Sequence, residues 1–145
     1  MGKEIKTTIL INASIEKVWS ILINFSNYSK WNPFIKSIKG QFKVGNKIEV
    51  RIEPPGAKAM TFKPIVITYQ ENKEMSWQGK LMFTGIFDGE HKFRLIDSGN
   101  GTTTLIQSEI FKGLLVPLFG KIIETNTKNG FEAMNKKLKE VAEQN

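Results

Sequence analysis

Residues 85–93 read GIFDGEHKF and hold the sole histidine of a 145-residue chain. Strand alternation puts Phe87, Gly89, His91 and Phe93 on one face, and Ile86, Asp88, Glu90 and Lys92 on the other. An imidazole on the same face as two phenylalanines either completes a packed core or lines a pocket. Residues 102–112, TTTLIQSEIFK, place Thr103, Leu105, Gln107, Glu109 and Phe111 on one face. The SGNG turn at 98–101 joins the two runs as antiparallel neighbours. A turn centred on Gly99–Asn100 sets His91 beside Gln107 and Phe87 beside Phe111, with Glu109 diagonal to His91. Three hydrogen-bonding side chains then meet among aromatic rings.

That constellation suits two kinds of chemistry. His91 and Glu109 are candidates for proton transfer, which needs a group within hydrogen-bond reach of the substrate. The same trio could instead orient a carbonyl or hydroxyl of a bound molecule at the polar end of an apolar pocket. The bland alternative is a buried network in which His91 bonds Glu109 or Gln107 and no ligand takes part. Other chemistries find no support. There is no Ser-His-Asp order, no phosphate-binding Walker loop and no dinucleotide fingerprint. One histidine and no cysteine argue against a zinc site, disulfides and thiol nucleophiles, so no metal or cofactor is expected.

The net charge is +7, from 21 lysines and arginines against 14 acidic residues. Only Arg51 and Arg94 are arginines, and the lysines are scattered; Lys136, Lys137 and Lys139 form the densest group. Arginine is the usual reader of bases, and scattered lysine gives only non-specific attraction. A solvated surface, with no specific nucleic-acid partner, is the expectation. No apolar run is long enough for a signal peptide or a membrane span, so stable membrane insertion is not expected and the protein reads as cytoplasmic. Whether it is a monomer or a dimer is left open by the sequence.

The chain reads as one domain over residues 1–145. Residues 3–12 are a β-branched strand. Ser14 is suited to cap a helix in which Ile15, Val18, Leu22 and Phe25 share a face, and a short second helix fits before Pro33. From residue 35 to 112, apolar alternation broken by turn residues predicts strands near 36–43, 47–53, 60–70, 74–83, 86–97 and 102–112. Gly79, Gly85 and Gly89 inside strand patterns predict strong curvature. From about Leu115 to Glu143 the period becomes helical, with Phe119, Ile123, Thr127, Phe131, Met134, Leu138 and Val141 on one stripe. That stripe must cover something apolar, and the concave face of the curved sheet is the available surface.

This arrangement nominates further lining residues. Trp31 and Phe34 flank Asn32–Pro33 at the mouth of any pocket the second helix closes. Trp77 and Phe62 lie on strands preceding the histidine strand. Phe111 sits beyond Glu109, and Phe119, Ile123, Thr127 and Phe131 would face the sheet from the long helix. The PPGAKAM loop ending at Met60 is a candidate lid. For each, core packing is the competing explanation.

Element order and local phrases resemble the START-like superfamily, also called the helix-grip, Bet v1-like or SRPBCC group. The phrases are INASIEKVWSIL with FSNYSKWNPF, then MSWQGKL, GIFDGEHKF, and IQSEIFKGLLVPL followed by GFEAMNKKLK. They are most similar to its polyketide cyclase/dehydrase branch and span essentially the whole chain. The resemblance implies an α+β helix-grip fold: a curved antiparallel seven-stranded sheet wrapped around a long C-terminal helix, with two short helices after the first strand. It also implies a hydrophobic cavity between sheet and helix. The superfamily contains lipid carriers, receptors and cyclases, so the fold leaves function open. The expectation is binding of a small hydrophobic or amphipathic molecule that is lipid-, sterol- or polyketide-like. The alternatives are a cyclase or dehydratase using His91 and Glu109, and a protein-interaction module with a filled core.

Overall fold

The computed structural model describes residues 3–80, 88–113 and 116–144. Strand β1 (Lys3–Ile11) leads into helix α1 (Ile15–Leu22), a single 3-10 turn at Phe25–Asn27, and helix α2 (Tyr28–Trp31). Seven further strands follow: β2 (Ile35–Lys39), β3 (Glu49–Ile52), β4 (Met60–Phe62), β5 (Ile65–Gln70), β6 (Glu74–Lys80), β7 (Asp88–Gly99) and β8 (Thr102–Lys112). Helix α3 (Val116–Glu143) closes the chain.

The strands form a five-stranded antiparallel sheet in the order β1-β8-β7-β6-β5 and a three-stranded sheet in the order β2-β3-β4. The residue 45–48 turn stitches them together: Val66 N–H donates to Asn46 O and Gly45 N–H donates to Val66 O, both at 2.9 Å. Among the described residues eight strands stand where seven were expected. The extra one comes from the 60–70 run, which breaks at Lys63–Pro64 because proline has no N–H to give a ladder. Its carbonyl still serves, accepting from Ile48 N–H at 2.9 Å.

The local signals for α1 hold. Ser14 sits in an extended conformation, and its hydroxyl accepts from Lys17 N–H at 3.2 Å, satisfying one of the helix's open donors. The helix buries Val18, Trp19 and Leu22. Tyr28 at the start of α2 is fully buried and its hydroxyl donates to the carbonyl of Leu22, tying the two helices together. Burial pushes its phenol well above the usual tyrosine range, because the phenolate would lose its solvation.

Helix α3 packs against β1, β8 and α1. Beyond Gly130, its buried side chains in the C-terminal half are Phe131, Met134, Asn135, Leu138 and Ala142, largely at spacings of three and four. The expected stripe missed two of these. Ala142 takes the inward position that Val141 was expected to hold, and Asn135 brings an amide into an otherwise apolar face. Gly130 lets the helix approach closely. A Cβ there would lie 2.5 and 2.6 Å from ring atoms of Phe34.

Candidate functional site

The β7–β8 hairpin sets the register of the site. Its tip holds Asn100 at φ 54° between Gly99 and Gly101, also at positive φ, and the pairing shifts between Asp97 and Gly99. The tip pairs Gly99 with Thr102, so the turn centres on Asn100–Gly101 and not on Gly99–Asn100, and together with the shift this leaves the ladder two residues from the pairing expected from sequence. His91 lies opposite Glu109, and Gln107 lies opposite Phe93. Glu109 is therefore the direct neighbour of the imidazole and Gln107 the diagonal one, the reverse of the sequence expectation. The face is as expected, because sliding by two residues preserves which side each residue occupies. Phe111 pairs with Gly89; Phe87, its expected neighbour, lies outside the described residues.

His91 is held on every side. Its Nδ1 lies 3.1 Å from Glu109 Oε1 and its Nε2 lies 3.0 Å from Gln107 Oε1. Nδ1 can donate to the carboxylate, and the role of Nε2 toward the Gln107 amide depends on the ring's tautomer. Trp77 stacks on the ring at 4.9 Å with 12° between planes. Phe131 of α3 meets it edge-on at 4.9 Å, and Phe93 is tilted against it at 4.7 Å. Phe34 continues the aromatic run, contacting Phe131 at 5.7 Å. These rings and His91 are all buried.

The polar contacts do not stop at Gln107. Its amide Nε2 donates to Asn135 Oδ1 at 2.7 Å, and Asn135 Nδ2 donates to Thr7 Oγ1 at 2.9 Å. The Thr7 hydroxyl donates in turn to the backbone carbonyl of Gln107 at 3.1 Å. A continuous chain thus runs Glu109–His91–Gln107–Asn135–Thr7, through β8, β7, α3 and β1. Buried polar groups are tolerated when paired in this way, and networks in a low-dielectric interior gain from one another. Sequence reasoning missed Asn135 and Thr7. Asn135 falls on the helix stripe between Met134 and Leu138, and a lone amide on an apolar stripe was the available signal.

Burial falls unequally along the chain. Gln107 and Asn135 are 0% and 2% exposed. The His91 side chain is 5% exposed and that of Glu109 is 16%. The second carboxylate oxygen of Glu109, Oε2, lies over Gly89, where any Cβ would collide with it, and Phe111 borders the same spot at 3.5 Å. Gly89 faces Gly79 across β6–β7. A Cβ on Gly79 would come within 3.3 Å of the Phe62 ring. The two facing glycines form a depression in the inner face, and the Glu109 carboxylate and Phe62 occupy it.

The remaining expected site residues are scattered. Trp31 is half-buried, meets Tyr28 edge-on at 5.3 Å and leaves its buried indole N–H without a partner. Thr127 is half-buried on α3. Phe119 and Ile123 fall within α3, and their side chains lie outside the described residues. Met60, at the end of the expected lid, is 41% exposed. No group of three or more metal-ligating side chains occurs among the described residues.

A family model described as polyketide cyclase / dehydrase and lipid transport matches residues 3–143. The chain belongs to that family. Solved structures agree in fold. A START superfamily protein from Mycobacterium smegmatis is 23% identical, with a TM-score of 0.76 over 97% of each chain. The Zhui aromatase/cyclase from Streptomyces sp. R1128 is 14% identical, with a TM-score of 0.76 over 99% of this chain and 94% of that one. A point mutant of norcoclaurine synthase from Thalictrum flavum, in complex with a transition-state analogue, is 17% identical, with a TM-score of 0.73 over 98% and 94%. No curated protein sequence matches. The START-like, helix-grip architecture read from the sequence is therefore the architecture of the chain. No helix among the described residues is long and apolar enough to cross a membrane.

Proposed function

We propose that the protein binds a small hydrophobic or amphipathic molecule between the inner face of the five-stranded sheet and α3. One observation carries this reading. Among the described residues, the Glu109 carboxylate is the part-exposed member of the polar chain on the inner face, set among Phe111, Ile5 and the glycine depression, while the remaining polar groups of that chain are paired and buried. An apolar wall with one oriented polar atom is the usual character of a small-molecule site. Apolar ligand surface removed from water would contribute about 25 cal/mol per Å². The family description supports a lipid- or polyketide-like class, and Trp77, Phe93 and Phe131 would act by holding His91 and Glu109 in place.

A second reading, cyclase- or dehydratase-type proton transfer, draws on the 3.1 Å contact between His91 and Glu109. It is the weaker of the two, because both ring nitrogens already face protein oxygens and a substrate atom would have to displace one of them. Native mass spectrometry of the purified protein, with uptake of an apolar fluorescent dye, tests the binding reading. Co-purified small molecule or saturable dye uptake is expected. A bare mass together with no uptake overturns it and leaves the filled-core interaction module.

A further inference from the structure

We propose that the site selects ligands that donate a hydrogen bond, such as an alcohol, phenol or amine, over ligands that only accept one. The inference rests on the binding reading above and adds the chemical class. The sequence alone leaves both a carbonyl and a hydroxyl open, since a histidine or glutamine could donate to a ligand carbonyl. The geometry removes that option. Nε2 of His91 faces Gln107, Nδ1 faces Glu109, and the amide nitrogen of Gln107 is committed to Asn135. Gln107 is also fully buried.

Within this polar chain, the atom left for a ligand is Oε2 of Glu109. Its partner oxygen is engaged by His91, which fixes the carboxylate's orientation, and the missing side chain at Gly89 lets it lie close to the sheet. A carboxylate is an acceptor with no proton to give when ionised. It gains most from a ligand N–H or O–H, and hydrogen bonds to a charged acceptor are about twice as strong as neutral ones. Anionic ligands meet repulsion at the same atom. Ile5, directly opposite Glu109 on β1, and Phe111 supply apolar surface for the ligand body. The polar chain through Gln107, Asn135 and Thr7 keeps the imidazole from turning its nitrogens toward the ligand.

Isosteric replacement gives a sharp test. In Glu109→Gln the amide oxygen must face the Nδ1–H of His91, so the amide NH₂ takes the position of Oε2 over Gly89. The site then presents a donor, and its preference inverts. Three probes with the same apolar body, naphthol, acetonaphthone and naphthoate, are titrated by calorimetry against the protein and the variant. The native protein is expected to bind naphthol about tenfold more tightly than acetonaphthone, the worth of one charge-assisted hydrogen bond, and naphthoate most weakly. In Glu109→Gln acetonaphthone and naphthoate should gain and naphthol should lose. Circular dichroism and unfolding midpoints establish that the variant is folded; if it is not, the preference among the three probes in the native protein decides. Equal affinities for naphthol and acetonaphthone, or an unchanged order in a folded variant, overturn the donor rule while leaving apolar binding intact. Failure of every probe to bind overturns the binding reading and this inference with it.

Discussion

Replacing Gly130 with alanine sets two effects of known sign against each other. Alanine in place of glycine inside a helix ordinarily stabilises by about 1 kcal/mol. Here the new methyl would lie 2.5, 2.6 and 3.1 Å from three ring atoms of Phe34. Ordinary carbon contacts begin near about 3.5 Å, so the ring or the helix must shift by roughly 1 Å. Neither has room. Phe34 is 3% exposed, its ring abuts Phe131 at 5.7 Å, and its backbone N–H is tied to Asn32 Oδ1 at 2.9 Å. Phe131 in turn leans on His91. Overpacking of this kind costs about 1–3 kcal/mol. The clash should win, giving net destabilisation of about 1 kcal/mol, or roughly 2–4 °C in melting temperature for a chain of this size. Urea denaturation of a double-mutant cycle with Phe34→Leu isolates the cause. In the Phe34→Leu background the clash is relieved and Gly130→Ala should become neutral or stabilising, reversing sign. If Gly130→Ala stabilises the native background by the full helix-propensity gain, the close packing of α3 on Phe34 is wrong.

Three further outcomes are expected. Asn135→Ala strands the buried amide nitrogen of Gln107 and opens a small void; chemical denaturation should show a loss of about 2–4 kcal/mol, and a loss below about 0.5 kcal/mol would mean the polar chain is not intact. Tyr28→Phe should lose about 1 kcal/mol near neutral pH with the bond to Leu22. Tyr28 titrates higher folded than unfolded, so the stability it provides is complete below an unfolded value of about 10 and drains away as pH rises beyond it, by up to about 1.4 kcal/mol per pH unit. Unfolding midpoints from pH 9 to 11 should therefore fall less steeply for Tyr28→Phe than for the native chain, and parallel curves would contradict the burial of the phenol. Ser14→Ala removes the cap of α1 and should cost about 1 kcal/mol by the same denaturation, whereas Ser14→Asp should retain most of it.

Much of the architecture was legible because it rests on local rules. Alternation in DGEHKF and TTTLIQSEIF placed His91, Gln107, Glu109 and Phe111 on one face, and no later packing could change a period-two pattern without flipping every side chain together. Ser14 announced the start of α1, and the 3.6-residue period announced α3. What stayed hidden depended on small backbone events. Where the hairpin tip centres, together with the shift between Asp97 and Gly99, decided that Glu109 and not Gln107 stands opposite the imidazole, and Pro64 split one expected strand into two.

By itself the sequence determined the fold class, the order of elements and the face on which each polar residue of the hairpin lies, since these follow from propensity and periodicity along the chain. Only the tertiary structure decided what those polar groups meet. Asn135 and Thr7 are more than a hundred residues apart in sequence and are joined at 2.9 Å because α3 crosses β1. That crossing occupies the free end of Gln107 and holds the His91 ring between Gln107 and Glu109. Contacts of this kind depend on where a helix lands on a sheet, and no spacing within either element records it.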